Sequence, residues 1–405
     1  MSALRHGWLT GLVIGVLWLF VLAVAVAVAV AFGAGAAIRP AIPFIVVLGA
    51  VTGLACVALR LAPPVLWAGV TVVFAALGAA ELAPIVGTDA TTPLLLAVTN
   101  GVLGLAFGWS MTRILGTMST GALTRHVFEA AVIRFLTGTG YIVFTAIVAI
   151  PFYVMVMTSL KNQQQLVQNP LDFSLDLSKG WGLFSSYVEL FGQFNFGSYL
   201  WTSFYVSCLT VAITLLFSVP GAYAVARLRF AGRTAFSRSI LLIYMVPMIV
   251  LALPIYIVFS MTGLRNTIFG IVIIYPVTTI PVALYMLQGY FRGLPAEVEE
   301  AGLMDGLTRL KVIWKITLPL SLPALASVSL YVFMIAWNEF LLAFMLLDDP
   351  SKFTLTRGVA MLNSSEIPRQ HLMAGAVIAT VPIMVLFLGL EKFMTKGLTA
   401  GSVKG

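Results

Sequence analysis

Apolar residues along this chain come in long unbroken runs, near 8–32, 42–61, 64–86, 94–115, 135–158, 199–225, 237–260, 268–289, 318–346 and 372–394. A run of about 20 residues with few charges is the length of one helix across the hydrocarbon core of a bilayer. A transmembrane barrel would instead show alternating segments of roughly 10 residues. The pattern therefore predicts an all-α polytopic membrane protein with about ten transmembrane helices. Only Leu61, Ala62, Pro63 and Pro64 join the second run to the third, which predicts a tight helical hairpin. Prolines recur inside later runs, at Pro151, Pro220, Pro247, Pro254, Pro276, Pro281 and Pro382. They predict kinks, tolerated where a neighbouring helix or a cavity re-satisfies the freed carbonyls.

Composition supports this class. Of 405 residues, 60% are hydrophobic and 9% charged, and the mean hydropathy is +1.03. No soluble core of this size uses so much apolar surface. The net charge of +8 points to orientation and not to nucleic acid, because the position of the cations carries the information. With the N-terminus in the cytoplasm, 16 of the 23 Lys and Arg fall inside and 7 outside, as the positive-inside rule expects. Both termini and residues 292–318 are then cytoplasmic. The first run, Trp8 to Phe32, is too long for a signal peptide and reads as a retained helix. Cys56 and Cys208 lie inside apolar runs and read as small buried hydrophobes. His6, His126 and His371 are scattered and form no ligand set, so no metal or cofactor is expected.

The organisation divides near 116–134, a polar Thr- and Gly-containing stretch with Arg125, His126, Glu129 and Arg134. Residues 1–116 read as a four-helix region rich in Ala, Val and Gly, 117–134 as a cytoplasmic linker, and 135–405 as a six-span core with longer polar loops. The two largest outer loops, 161–198 and 347–371, carry charges and aromatics suited to a contact outside the membrane.

One stretch breaks the apolar pattern. Between Arg292 and Lys315 lie Glu297, Glu299, Glu300, Asp305, Arg309 and Lys311. Pro295 suits the first turn of a helix, and the glutamates after it suit the positive end of the helix dipole. Asp305-Gly306 interrupts that helix. Thr308 can cap a second one running to about Ile316, with Lys311 and Lys315 toward its favourable C-terminal end. Pro319 is expected to stop it before the next span. Leu303, Leu307, Leu310 and Trp314 recur at spacings of four, three and four, an apolar stripe for a protein groove or for the bilayer surface.

The same stretch resembles a known family. Glu300-Ala301-Gly302, then Gly306, Ile316 and Leu318-Pro319 reproduce the spacing of the "EAA–G–I-LP" signature of binding-protein-dependent ABC importer permeases, with Asp305-Gly306 as the family's usual pair. Gly302 departs from the Ala that many members carry, which weakens the first helix slightly. "GLTAGSVKG", residues 397–405, and "WNEFLLA", residues 337–343, are similar to the smaller permease subunit of maltose-type sugar importers. The resemblance covers about residues 134–405 (the type-1 transmembrane block about 198–392); the four preceding spans have no counterpart in the usual six-span subunit.

The resemblance implies a type I importer permease in a bacterial inner membrane. It implies an ABC ATPase dimer, a second homologous permease, an extracytoplasmic substrate-binding protein and a carbohydrate substrate as partners. Glu300, Ala301, Gly302, Leu303, Asp305, Gly306, Leu307, Leu310, Ile316 and Pro319 would couple to the ATPase, and Gly397, Thr399, Gly401 and Lys404 would reach between its subunits. No G-x-x-x-x-G-K-[ST] occurs, so the chain is expected to be the permease and no enzyme itself. By the same resemblance, Asp348–Gln370 is the candidate contact for the binding protein.

For the substrate pathway the candidates are Trp337 and Asn338, suited to a sugar ring face and its hydroxyls, with Glu339 near the outer interface and Gln288, polar at a helix end. An importer of a non-sugar solute would share the loop signature. A secondary transporter would need ionisable residues near the bilayer midplane, which these spans scarcely offer. A membrane scaffold without transport activity would have no use for the matched loop.

Overall fold

Backbone groups inside a bilayer must satisfy one another, so long apolar runs fold as helices. A computed structural model describes residues 5–399 except 60, 61, 89, 90, 117, 170, 171 and 365. The chain is mostly helical and divides into two compact units, Met1–Leu183 and Phe184–Gly405.

The first unit holds α1 (Gly7–Ala34), α2 (Ile42–Ala58), α3 (Pro63–Ala79), α4 (Pro93–Leu115), α5 (Arg125–Ser159) and the short α6 (Gln163–Gln168). Prolines open α2, α3 and α4, where a missing N–H costs nothing. α1 and α2 meet through two GxxxG faces. A Cβ on Gly15 would stand 2.3 Å from the Gly49 carbonyl oxygen, and one on Gly53 2.1 Å from that of Gly11. Absent side chains let the backbones touch, the common means of packing helices where no hydrophobic effect drives them together. Trp18, almost fully buried, reaches α4 through an Nε1–H bond of 2.6 Å to Ser110 Oγ.

Three expectations need correction in this unit. The third span ends at Ala79, not near 86, because Glu81 turns the chain with φ of +60° and Pro84 cannot extend a helix. Residues beyond it form β2 (Ile85–Gly87), antiparallel to β1 (Ile38–Pro40). Buried Asn100 of α4 completes this edge, donating to Ile85 O and accepting from Ile85 N. The linker expected to run to 134 is also shorter. Thr124 caps α5 by accepting from Val127 N, so Arg125–Arg134 are helical, with Arg125 and Glu129 paired one turn apart. Finally, α5 packs on α1 and α4, so the compact units part at Leu183 and not in 116–134. The loop expected over 161–198 accordingly falls partly in each unit.

The second unit holds α7 (Ser185–Gln193), α8 (Phe196–Arg227), α9 (Arg233–Tyr244), α10 (Met248–Met261), α11 (Ile268–Gly293), α12 (Ala296–Met304), α13 (Arg309–Val312), α14 (Leu318–Leu320), α15 (Leu322–Asn338), α16 (Leu341–Leu346), α17 (Leu355–Met361) and α18 (Arg369–Thr399). Its centre is the α8–α11 pair. Ser203, Ser207, Thr210, Thr214 and Ser218 lie along one buried face of α8. Thr214 Oγ1 meets Thr279 Oγ1 of α11 at 2.6 Å, and Ser218 Oγ donates to Ile280 O at 3.4 Å. The expected span 237–260 is broken before Met248, where Pro247 restricts the residue ahead of it and starts α10. The expected span 318–346 ends at Asn338, because Glu339 is extended.

Among the described residues, six helices (α1, α4, α5, α8, α11 and α18 to Gly389) are long and apolar enough to cross a membrane; a seventh is counted if Arg309–Leu320 and Leu322–Asn338, bent by 77°, form one span. α2, α3 and α10 are apolar but shorter.

The α1–α2 contact makes a prediction. Gly15→Ala forces a methyl into backbone and is expected to destabilise the unit by about 1–3 kcal/mol. Gly69→Ala, where no atom lies within 4 Å of the new Cβ, should be neutral or stabilising by up to about 1 kcal/mol. Thermal unfolding of the detergent-purified variants measures both.

Candidate functional site: the loop between α11 and α15

α11 ends at Gly293, and Leu294 is extended, which frees its carbonyl from the helix ladder. Arg227, the last residue of α8, donates from Nη2 to Leu294 O at 2.6 Å. Pro295 then caps α12, whose first turn carries Glu297 and Glu299. Gly306 has φ of +80°, the left-handed conformation that costs an L side chain about 1–2 kcal/mol. This residue turns the chain between the two short helices. Thr308 caps α13, its hydroxyl 3.5 Å from Lys311 N. One turn of π-helix, Ile313–Thr317, follows, and α14 leads to the bend at Ser321. Pro319 therefore sits inside α14, two residues before the bend it was expected to make.

The signature's Glu300 and its neighbour Glu299 face opposite ways. Glu300 is exposed, whereas Glu299 is buried, its side chain 8% accessible. The Glu299 carboxylate accepts from Thr317 Oγ1 at 3.0 Å and from Tyr223 OH of α8 at 3.2 Å. Arg227 Nε stands 3.4 Å from the same carboxylate, an ion contact and not a formed hydrogen bond. Tyr290 OH of α11 donates to Leu320 O at 3.0 Å. Gln288 bonds Ser237 Oγ of α9 and, with its amide oxygen turned toward it, the Arg292 guanidinium at 2.7 Å. The base of the loop is thus tied to α8, α9 and α11. Sequence reasoning missed Glu299, Arg227, Tyr223 and Thr317 as a set; a lone cation in the last turn of α8 was the available signal.

The apolar stripe is divided by Gly306. Leu303 and Leu307 are half-buried, while Leu310 and Trp314 are 71% and 73% exposed and are joined by Met304 at 88%. Gly302 is buried, and a Cβ there would meet the flexible end of Ile316, Cδ1, at 2.6 Å. Ala301 and Asp305 are exposed beside the outward face. The loop therefore has a braced base and an apolar outer surface edged with charge.

The other candidates lie elsewhere. Trp337, expected to offer a ring face, is instead buried, stacked on Phe333 at 5.5 Å, with Nε1 donating to Ala379 O. Glu339 accepts from Leu342 N at 2.8 Å and Ala343 N at 3.1 Å, so it caps α16. Asn338 is exposed, with Nδ2 donating to Met334 O. These three lie at and just past the end of α15, about 24–27 Å from Ser321 by helical rise, and Gln288 does not join them. In Asp348–Gln370, Asn266 (φ +55°) accepts through Oδ1 from Asp348 N and Asp349 N, and Arg265 pairs with Asp348 at 2.6 Å. The Ser351 hydroxyl holds the Asp349 carboxyl below its ordinary pKa, and it stays charged at neutral pH. Gly358 of α17 lies directly against the Tyr199 ring of α8. Gly397 and Thr399 close α18; Gly401 and Lys404, like Arg60 of the charge count, lie outside the described residues.

The chain is 36% identical over 269 residues to "Inner membrane ABC transporter permease protein YcjP" of Escherichia coli (strain K12), covering 66% of this chain and 95% of that protein. It belongs to the binding-protein-dependent ABC importer permeases. The sequence pattern of the family described as "Binding-protein-dependent transport system inner membrane component" matches residues 218–399, from the second half of α8 to the end of α18. The permease is also 33% identical over 282 residues to "Trehalose/maltose transport system permease protein MalG" of Thermococcus litoralis, covering 68% of this chain and 99% of that protein. "Trehalose transport system permease protein SugB" of Mycobacterium tuberculosis is 35% identical over 225 residues, with coverages of 55% and 82%. A permease-type fold is seen in the crystal structure of a bacterial ABC transporter involved in the import of the acidic polysaccharide alginate (TM-score 0.56, 23% identity, 67% of this chain and 99% of that one). The chain is thus a multi-pass inner-membrane permease, the component of a system that includes an ATPase and a substrate-binding protein.

The Gly306 turn yields a prediction. Gly306→Ala should cost about 1 kcal/mol, lowering Tm by roughly 2–4 °C, and Gly306→Asn should cost less because Asn tolerates the left-handed region. Thermal unfolding of the purified permease checks the order.

Proposed function

We propose that this permease serves a carbohydrate importer, in the role of the smaller permease subunit of maltose-type systems, beside a second homologous permease. What carries the proposal is the loop between α11 and α15, whose base is braced and whose outer face bears exposed Met304, Leu310 and Trp314. An apolar face of this kind on a charged element fits a protein groove better than lipid, and here the groove is that of an ATPase subunit. Glu300, Ala301, Asp305 and Gly306 border the contact, and Gly302, Leu303, Leu307, Ile316 and Pro319 shape it from within. Sugar is supported by the solutes in the names of the trehalose and maltose relatives.

In this reading the loop is cytoplasmic, as are both termini, and the tail from Gly397 through Thr399, Gly401 and Lys404 reaches between the ATPase subunits. Ten crossings result when α2, α3, the α9–α10 pair and α15 join the six longer helices, with α1–α4 preceding a core of six. Asp348–Gln370 faces the extracytoplasmic binding protein, pinned by Asn266 and Arg265 so that it presents one shape. Of the pathway candidates, exposed Asn338 remains the one free to meet a sugar hydroxyl, with Glu339 as its structural support.

Two measurements test this. Leu310→Glu with Trp314→Glu should abolish co-purification of the ATPase while the chain still inserts in the membrane; an undiminished ATPase yield would count against the docking role. In a background with Cys56 and Cys208 replaced by Ala, Asp305→Cys should react with a membrane-impermeant maleimide only in inverted vesicles. Labelling in intact cells would reverse the orientation.

A further inference from the structure

A docked ATPase pushes on α12 and α13, and the chain itself carries that push only to α11 and α15. α8 is not adjacent to the loop in the chain, with α9, α10 and α11 lying between them. Yet α8 is the helix along which the buried hydroxyl face meets α11, so whether it moves with the loop decides which helices respond.

The geometry points to Glu299 as the residue that joins α8 to the loop. Three groups from two directions converge on its carboxylate: Tyr223 OH and Arg227 Nε from the end of α8, and Thr317 Oγ1 from the π-turn at the loop's exit. Arg227 adds the bond to Leu294 O at the loop's entrance. Entrance, exit and α8 are closed into one buried cluster by a single carboxylate. Side-chain accessibilities of 8% for Glu299 and 13% for Arg227 keep water from competing for these bonds. Buried Glu299 faces the helices, while exposed Glu300 faces outward. Glu299 is a positioning residue: it makes the loop and the end of α8 one lever.

This inference rests on the reading of the loop as the ATPase-docking element. The test uses the full transporter complex, with spin labels at Glu297→Cys on α12 and Arg229→Cys just beyond α8, both exposed, in the Cys56→Ala, Cys208→Ala background. Double electron–electron resonance is recorded without nucleotide and after trapping with ATP and vanadate. With Glu299 intact the label distance should stay the same in both states. With Glu299→Gln, which keeps the size of the side chain and loses its charge against Arg227, a second and longer distance population should appear on trapping. Thr317→Val and Tyr223→Phe should each broaden the distribution in the same direction.

A distance that changes with Glu299 intact, or stays single in Glu299→Gln, overturns the lever. If Glu299→Gln yields no assembled complex while Thr317→Val and Tyr223→Phe keep the distance fixed, Glu299 acts in folding alone and the inference fails. A permease that brings down no ATPase even with the loop intact instead overturns the docking reading beneath it.

Discussion

A peptide group inside a membrane that meets neither water nor another peptide group costs several kcal/mol, and this constraint organises the chain. Helices satisfy it by themselves, so each interruption needs a side chain to take over. Asn100 stands in for a strand partner at Ile85, and Asn266 receives the N–H groups of Asp348 and Asp349. Glu339 receives those of Leu342 and Ala343. Around the loop, Arg227 serves Leu294 O and Tyr290 serves Leu320 O. These polar residues, in a chain of 9% charge, are thus committed to backbone at breaks. This also accounts for Glu339, whose carboxylate is committed to the N–H groups of Leu342 and Ala343.

Glycine answers the same constraint in two separate ways. Gly11, Gly15, Gly49 and Gly53 sit in regular helix and are required for what they lack, since any Cβ would enter the facing backbone. Gly306 has open space around its missing Cβ and is required for its positive φ. Gly302 is an intermediate case: the Cβ it lacks would meet the movable end of the Ile316 side chain and not a facing backbone.

Helix existence was legible because apolar run length reports directly on the thickness of the solvent. The ends of the helices were less so. Composition near 79–86 stays apolar while the backbone turns at Glu81, and the break at Pro247 reads from sequence as one more tolerated kink. At the loop, spacing located the turn at Gly306 and the cap at Thr308, both local effects of neighbouring residues. The orientation of Glu299 against Glu300 was not legible, because it depends on Tyr223 and Arg227, more than 70 residues away in the chain. Trp337 illustrates the same limit: an indole at the end of a span reads as available until its partner Ala379, from α18, is in place.

The charged stretch that interrupts so apolar a chain can now be explained in physical terms. A surface that receives force must be stiff at its base, and apolar contacts alone slide against one another at little cost in a membrane, where they are no better than contacts with lipid. Directional bonds resist sliding, and buried charge strengthens them. Glu299 with Tyr223 and Thr317, and Arg227 with Leu294 O, on one side, and Arg292 with Gln288 and Ser237 on the other, place such bonds where the loop meets the helices. Leu310 and Trp314, which make no such commitments, are left to face outward. The charges therefore hold the loop in shape, and the apolar residues they support stay exposed, as the proposed docking role requires.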